Sequence, residues 1–233
     1  MSGTHPLVVG IFVTLFVAAL GYLLPDSLAG TLIGLCFLIA TYLLVLQGRA
    51  PGSERQYGLA LGGLLDPEPL AWRELARSAT RASAWAVGFA LLCFPLFWIG
   101  YVRWYGASGD FVHSVGPLEA INVFLLQWSG VALPEEAFYR GYLQTSLDRV
   151  WRPRFKVFGA EVGAALVVTS LVFSVGHVLT EPYIGRLAVF FPSLLFGWLR
   201  AKTGGIGASM LFHAACNGFA WYLGRGYGLI SDS

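Results

Sequence analysis

Residues 118–149 read LEAINVFLLQWSGVALPEEAFYRGYLQTSLDR, and the rest of the chain is arranged around them. As a straight helix they would measure about 48 Å, well beyond the roughly 30 Å of a bilayer's hydrocarbon core, so one simple crossing is excluded. Pro134 divides the stretch, because proline removes an intrahelical donor and its ring clashes with the carbonyl four residues back. The expectation is a broken helix, apolar over 118–133 and polar after it, of the kind that lines a cavity at membrane depth. Just past the break stands Pro134-Glu135-Glu136-Ala137-Phe138-Tyr139-Arg140. Two adjacent carboxylates and a guanidinium are costly in apolar surroundings, and ionisable residues placed there are functional candidates by default. Glu136 and Arg140 are four residues apart with the acid first, the favourable order for a same-face ion pair. Glu135 lacks that partner and is a candidate general base. The competing reading is a buried polar clip between helices.

Composition sets the class. The 233 residues are 56% hydrophobic and only 12% charged, with a mean hydropathy of +0.66, outside the usual range of soluble domains. The fold class expected is all-α, a polytopic transmembrane helical bundle of about seven spans. A net charge of +2, with no basic stripe interleaved with aromatics, argues against a nucleic-acid partner. Cys36, Cys93 and Cys216 fall inside apolar runs without CxxC spacing, so they read as small buried hydrophobes and not as a disulfide or zinc-thiolate framework.

In chain order, residues 7–24 and 28–46 are uncharged runs joined by Pro25-Asp26-Ser27, a transmembrane hairpin. The first run reads as a retained helix and not a cleaved signal, because Met1–Pro6 carries no Lys or Arg. Residues 49–81 are the most polar section, with Arg49, Arg55, Arg73, Arg77 and Arg81 against Glu54, Asp66, Glu68 and Glu74. Within it, 69–81 is expected either as an amphipathic helix on the membrane surface or as a charged loop. Residues 82–101 form the third span, with Pro95 as a kink and Trp98, Tyr101 and Trp104 at the interface. Further spans are expected at 160–178, 184–199 and 206–223. Basic residues crowd the 49–81 section, the 149–156 stretch and Arg200 with Lys202, which places the N-terminus in the cytoplasm under the positive-inside rule. The expected organisation is one integral membrane domain over 1–233. Residues 1–105 supply the N-terminal spans and a polar cytoplasmic loop, and 118–225 supply a C-terminal core.

The chain has four histidines. His177 closes Phe173-Ser174-Val175-Gly176-His177, and His213 stands four residues before Asn217, so that pair shares a helical face. A lone intramembrane His or Asn is commonly an interhelical hydrogen-bond partner. Two histidines, an asparagine, two glutamates and an arginine gathered in the C-terminal half form a denser set. EExxxR at 135–140, FxxxH at 173–177 and HxxxN at 213–217 together resemble the motif series of the CPBP family, also called Abi. That family comprises type II CAAX prenyl proteases and bacteriocin-processing or immunity-related intramembrane proteases.

The resemblance covers roughly residues 118–224 and implies a glutamic intramembrane endopeptidase. It implies catalytic roles for Glu135, His177, His213 and Asn217, with Glu136, Arg140 and Tyr139 in support. Glu135 takes a proton from water, His177 holds that water, Asn217 with His213 donates to the oxyanion, Arg140 holds Glu136, and Tyr139 orients the Glu135 carboxylate. The expected partners are a membrane-anchored protein or peptide substrate and the lipid bilayer. Small size, short loops and the preference for arginine favour a bacterial cell membrane. No cofactor is expected. A divalent metal such as zinc on Glu135, His177 and His213 is the alternative, although HExxH is absent.

Depth along the helices raises a difficulty. Glu135 and Asn217 each stand about 20 Å from the nearest basic cluster, whereas His177 comes out roughly 30 Å from Lys156. Other enzyme classes fare worse. Gly106-Ala107-Ser108-Gly109 matches the rhomboid GxSG, but it lies in a polar loop and precedes HxxxN, the reverse of the rhomboid order. No aspartate lies inside a span, against an aspartyl protease. A non-enzymatic immunity factor or scaffold of the same fold is the remaining alternative, since fold does not set function.

Overall fold

The computed structural model describes residues 5–47, 50–66, 69–113 and 115–230. Arg49 and Glu68, counted in the polar section, lie outside them, as do residues 1–4. Among the described residues the architecture is all-α apart from one small hairpin. The hairpin of α1 (Pro6–Leu23) and α2 (Asp26–Thr41) comes first, α2 running on through a π-helical turn at Tyr42–Leu46. After the short α3 (Ser53–Gln56) comes α4, 34 residues from Trp72 to Tyr105. The decisive stretch follows as α5 (Pro117–Leu126), α6 (Leu133–Glu136) and α7 (Thr145–Trp151), separated by π-helical turns at Gln127–Ala132 and Ala137–Gln144. Strands β1 (Phe155–Val157) and β2 (Ala160–Val162) precede α8 (Ala164–Thr180), α9 (Phe190–Thr203) and α10 (Gly207–Gly226).

Among the described residues, four helical segments are long and apolar enough to cross a membrane: Pro6–Leu23, Ser27–Leu46, Trp72–Tyr105 and Ile184–Thr203. This is a helical membrane protein, with outward faces of large apolar side chains such as Phe12, Leu91 and Leu96. α8 is apolar but shorter. Seven equivalent spans are therefore more than length and hydropathy establish.

Several expectations change. Residues 69–81 form no separate surface helix, since α4 starts at Trp72 and carries the arginines of its first turns and the apolar third span as one helix, continuous through Pro95. The broken helix expected over the long stretch is present, its α-helical segments interrupted by π-helical turns. Its π-helical turns flank Pro134, whose missing N–H leaves the Gly130 carbonyl without its α-helical donor. Gly34 of α2 packs under that carbonyl, where an added Cβ would stand 2.9 Å from the Gly130 oxygen and 3.3 Å from Pro134 Cγ.

The span expected from residue 160 starts instead at Ala164, because 155–162 form an antiparallel hairpin with Lys156 opposite Glu161. Phe158 and Gly159 at its tip both have positive φ, 46° and 79°, the conformation of a two-residue turn that matches strand twist. Trp198 Nε1 and Lys202 Nζ of α9 donate to the Val157 and Phe158 carbonyls, each at 2.9 Å. With the hairpin outside the helix, His177 lies about 20 Å from the start of α8. That matches the depth of Glu135 and Asn217 and removes the discrepancy.

Two buried clusters hold the bundle. One joins α1 and α2 to Phe138, Leu143, Leu147 and Phe173; the other joins Ala86 of α4 to Phe196, Leu199 and Phe212 of α9 and α10. The polar residues of the decisive stretch lie between them.

Candidate active site

Glu136 and Arg140 are completely buried, and the expected ion pair is formed, Arg140 Nη1 lying 2.9 Å from Glu136 Oε1. The same oxygen meets His213 Nδ1 at 2.9 Å. Arg140 reaches onward, its Nη2 donating to the Ser193 hydroxyl at 2.6 Å and the Ser193 carbonyl at 3.2 Å. Its guanidinium stands over the rings of Phe173 and Phe196, and His213 stacks on Phe196 with centroids 4.6 Å apart. Desolvation of an ion pair is offset only when the remaining donors and acceptors are met, and Ser193 and the aromatic faces supply part of that here. His213 thus packs against the glutamates, with Nε2 3.7 Å from Glu135 Oε2.

Glu135 projects the other way. Its side chain keeps 14% exposure, and it lines a cavity of about 520 Å³ together with Tyr139, His177, Asn217 and Gln127. Oε2 of Glu135 has no hydrogen-bond partner among the described residues. His177 Nδ1 lies 3.0 Å from the Phe173 carbonyl. A carbonyl only accepts, so Nδ1 is the donor and Nε2 of the neutral ring is left as an acceptor. Asn217 Nδ2 donates to Gln127 Oε1 at 2.9 Å, which orients the amide and leaves its second N–H free. The Tyr139 hydroxyl meets Thr14 of α1 at 3.0 Å.

The cavity lining carries both acceptors, in the Glu135 carboxylate and the His177 ring, and donors, in the Asn217 and Gln127 amides, the two kinds of partner that a water and a carbonyl group call for. Among the described residues no three His, Cys, Asp or Glu side chains converge as a metal-binding group. His213 faces the glutamates with both nitrogens, Nδ1 2.9 Å from Glu136 Oε1 and Nε2 3.7 Å from Glu135 Oε2.

The cavity lining also includes polar residues outside the motifs, among them Thr14, Gln127, Glu181 and Arg186. Gln127 had a signal, as the only amide between Leu125 and Leu133 in an apolar run. Thr14, and the ion-paired Glu181 and Arg186 at the margin, had none, since their relevance comes from packing. Ser108 of the GxSG match lies in an exposed loop, and nearby His113 is hydrogen-bonded to Tyr222.

Residues 117–219 match the family model described as Rce1-like, type II CAAX prenyl endopeptidase. No curated protein and no solved structure matches the chain. The walls contributed by Thr14, Val17, Ile33 and Phe37 lie outside the matched segment.

Proposed function

With residues 117–219 belonging to the Rce1-like type II CAAX prenyl endopeptidase family, we propose that this chain is an intramembrane endopeptidase cleaving a membrane-anchored protein or peptide with water activated by Glu135. The observation that carries the reading is the unequal placement of two adjacent carboxylates. Glu136 is enclosed and held by Arg140 and His213, whereas Glu135 opens onto the cavity beside His177 and Asn217.

In the proposed reaction a water donates one hydrogen bond to Glu135 and the other to His177 Nε2, which aims its lone pair at the scissile carbonyl carbon. The new C–O bond forms as Glu135 takes the proton. The developing oxyanion receives the second Nδ2–H of Asn217, a contact of a kind that contributes about 3–4 kcal/mol. The C–N bond then breaks, and Glu135 passes its proton to the leaving amine. His213, paired with Asn217 in the sequence reading, is given a positioning role here. Its Nδ1 is engaged by Glu136, and its ring keeps the two glutamates apart.

The whole chain acts as one membrane domain in this reading, with the 118–225 core completed by α1 and α2. Loop charges support a cytoplasmic N-terminus. The test is cleavage in proteoliposomes of two probes, a farnesylated peptide ending in Cys-Val-Ile-Met and a peptide carrying an unmodified transmembrane anchor. Wild type is compared with Glu135→Gln and His177→Ala, each confirmed folded. Loss of cleavage in both variants supports the mechanism, and wild-type rates in either remove it. The probe that is cut identifies the substrate class. Metal analysis of active protein, with chelator treatment, tests the zinc alternative.

A further inference from the structure

Thr14 lies in α1, far from the matched segment in sequence, yet it is buried against the cavity wall. Its hydroxyl donates to the Gly10 carbonyl at 2.8 Å and lies 3.0 Å from the Tyr139 oxygen. A threonine has one hydroxyl proton. With that proton on Gly10, the contact to Tyr139 has one consistent direction: Tyr139 donates and Thr14 Oγ1 accepts.

The position of the phenol is equally constrained. Its ring meets Phe173 edge to face at 5.0 Å and packs on Phe37 at 5.4 Å. Gly176 completes the seat, because a Cβ there would stand 2.8 Å from Thr14 Cγ2 and 3.4 Å from the Tyr139 oxygen. Tyr139 therefore presents lone pairs, not a proton, to the cavity it lines.

Resting on the endopeptidase reading above, we propose that Thr14 is a positioning residue that holds the Tyr139 hydroxyl as an acceptor, and that Tyr139 accepts a hydrogen bond from a backbone N–H of the substrate peptide. The scissile carbonyl calls for donors, and the water's two protons are already matched by Glu135 and His177. The remaining acceptor suits a donor, and each non-proline residue of an extended peptide brings one that loses its water on entering an apolar cavity. Tyr139 thereby selects for peptide backbone and registers the chain, while α1 sets the polarity of a residue in the matched core.

The experiment uses full-length protein in proteoliposomes and whichever probe peptide the wild type cleaves. Each backbone N–H flanking the scissile bond, but not the scissile N–H itself, is replaced in turn by an ester oxygen. In the wild type one such replacement is expected to raise KM about tenfold, the effect of an ordinary hydrogen bond, with kcat little changed. In Tyr139→Phe the same replacement costs nothing. In Thr14→Val, which keeps the side-chain shape, the Tyr139 proton loses its acceptor and turns inward, so the ester penalty is reduced, and Thr14→Ser restores it. A purely structural Thr14 would lower activity on amide and ester alike. An equal ester penalty in wild type and Tyr139→Phe overturns the proposal and leaves the endopeptidase reading standing. A wild type that cleaves neither probe overturns both.

Discussion

Asn217 Nδ2 donates to Gln127 Oε1 at 2.9 Å, which ties the last helix to the π-helical turn that precedes the glutamates. In the proposed mechanism the two amides act as a unit, one N–H of Asn217 held by Gln127 and the other given to the oxyanion. Asn217→Ala is expected to lower kcat by about 10²- to 10³-fold, the usual consequence of removing one oxyanion donor. Gln127→Leu leaves the donor present but unoriented, and a loss of about tenfold is expected. The double variant should be no worse than Asn217→Ala, because orientation is worthless without the donor. Steady-state kinetics of the three proteins would show this, and multiplicative losses would mean that Gln127 acts separately.

The buried ion pair leads to a stability prediction. Arg140→Met leaves Glu136 as a fully buried carboxylate with only His213 for company, and breaking such a pair typically costs about 3–5 kcal/mol. Ser193→Ala removes one of the two Ser193 acceptors of Arg140 Nη2 but keeps the backbone carbonyl, so about 1–2 kcal/mol is expected. Thermal unfolding in detergent should place Arg140→Met well below Ser193→Ala. The opposite order would show that the pair is dispensable for folding.

The helical class and the motif positions were legible in the sequence because both are written in local spacing. Apolar run lengths mark membrane helices, and the four-residue offset of Glu136 and Arg140 gives their contact directly. What was not legible depends on neighbours distant in sequence. The partners of His213 and Asn217, one turn apart on α10, are Glu136 and Gln127, which lie far away in the sequence and are brought in by packing. The hairpin at 155–162 is held by Trp198 and Lys202 of α9, which donate to its Val157 and Phe158 carbonyls. Thr14 looks like an ordinary polar residue in an apolar helix until Tyr139 is placed beside it.

The hairpin can be checked by labelling. In a background lacking Cys36, Cys93 and Cys216, single cysteines placed from 155 to 170 should react with a membrane-impermeant thiol reagent through the hairpin, most strongly at the exposed Phe155 and Phe158. Reactivity should then fall at Ala165 and Leu166, which are buried within α8. A helical pattern of reactivity already present from 160 would restore the longer span expected from the sequence.

Gly34 offers the sharpest test of how the broken helix is seated. Pro134 deprives the Gly130 carbonyl of its normal donor, and α2 answers by bringing a glycine against it. A Cβ at position 34 would stand 2.9 Å from the carbonyl oxygen and 3.3 Å from the proline ring, and neither atom belongs to a flexible side chain. Gly34→Ala therefore has to push α2 away from the decisive stretch, at a cost of about 1–3 kcal/mol typical of overpacking. Ala favours helix over Gly by about 1 kcal/mol at an exposed site, so the control is Gly30→Ala on the same helix, where an added Cβ meets nothing within 4 Å. Gly30→Ala should be neutral or stabilising and Gly34→Ala destabilising in the same unfolding assay. Because Ile33 and Phe37 of α2 line the cavity, Gly34→Ala should also lower cleavage beyond what its stability accounts for. Equal behaviour of the two variants would mean that α2 is not seated against the proline break.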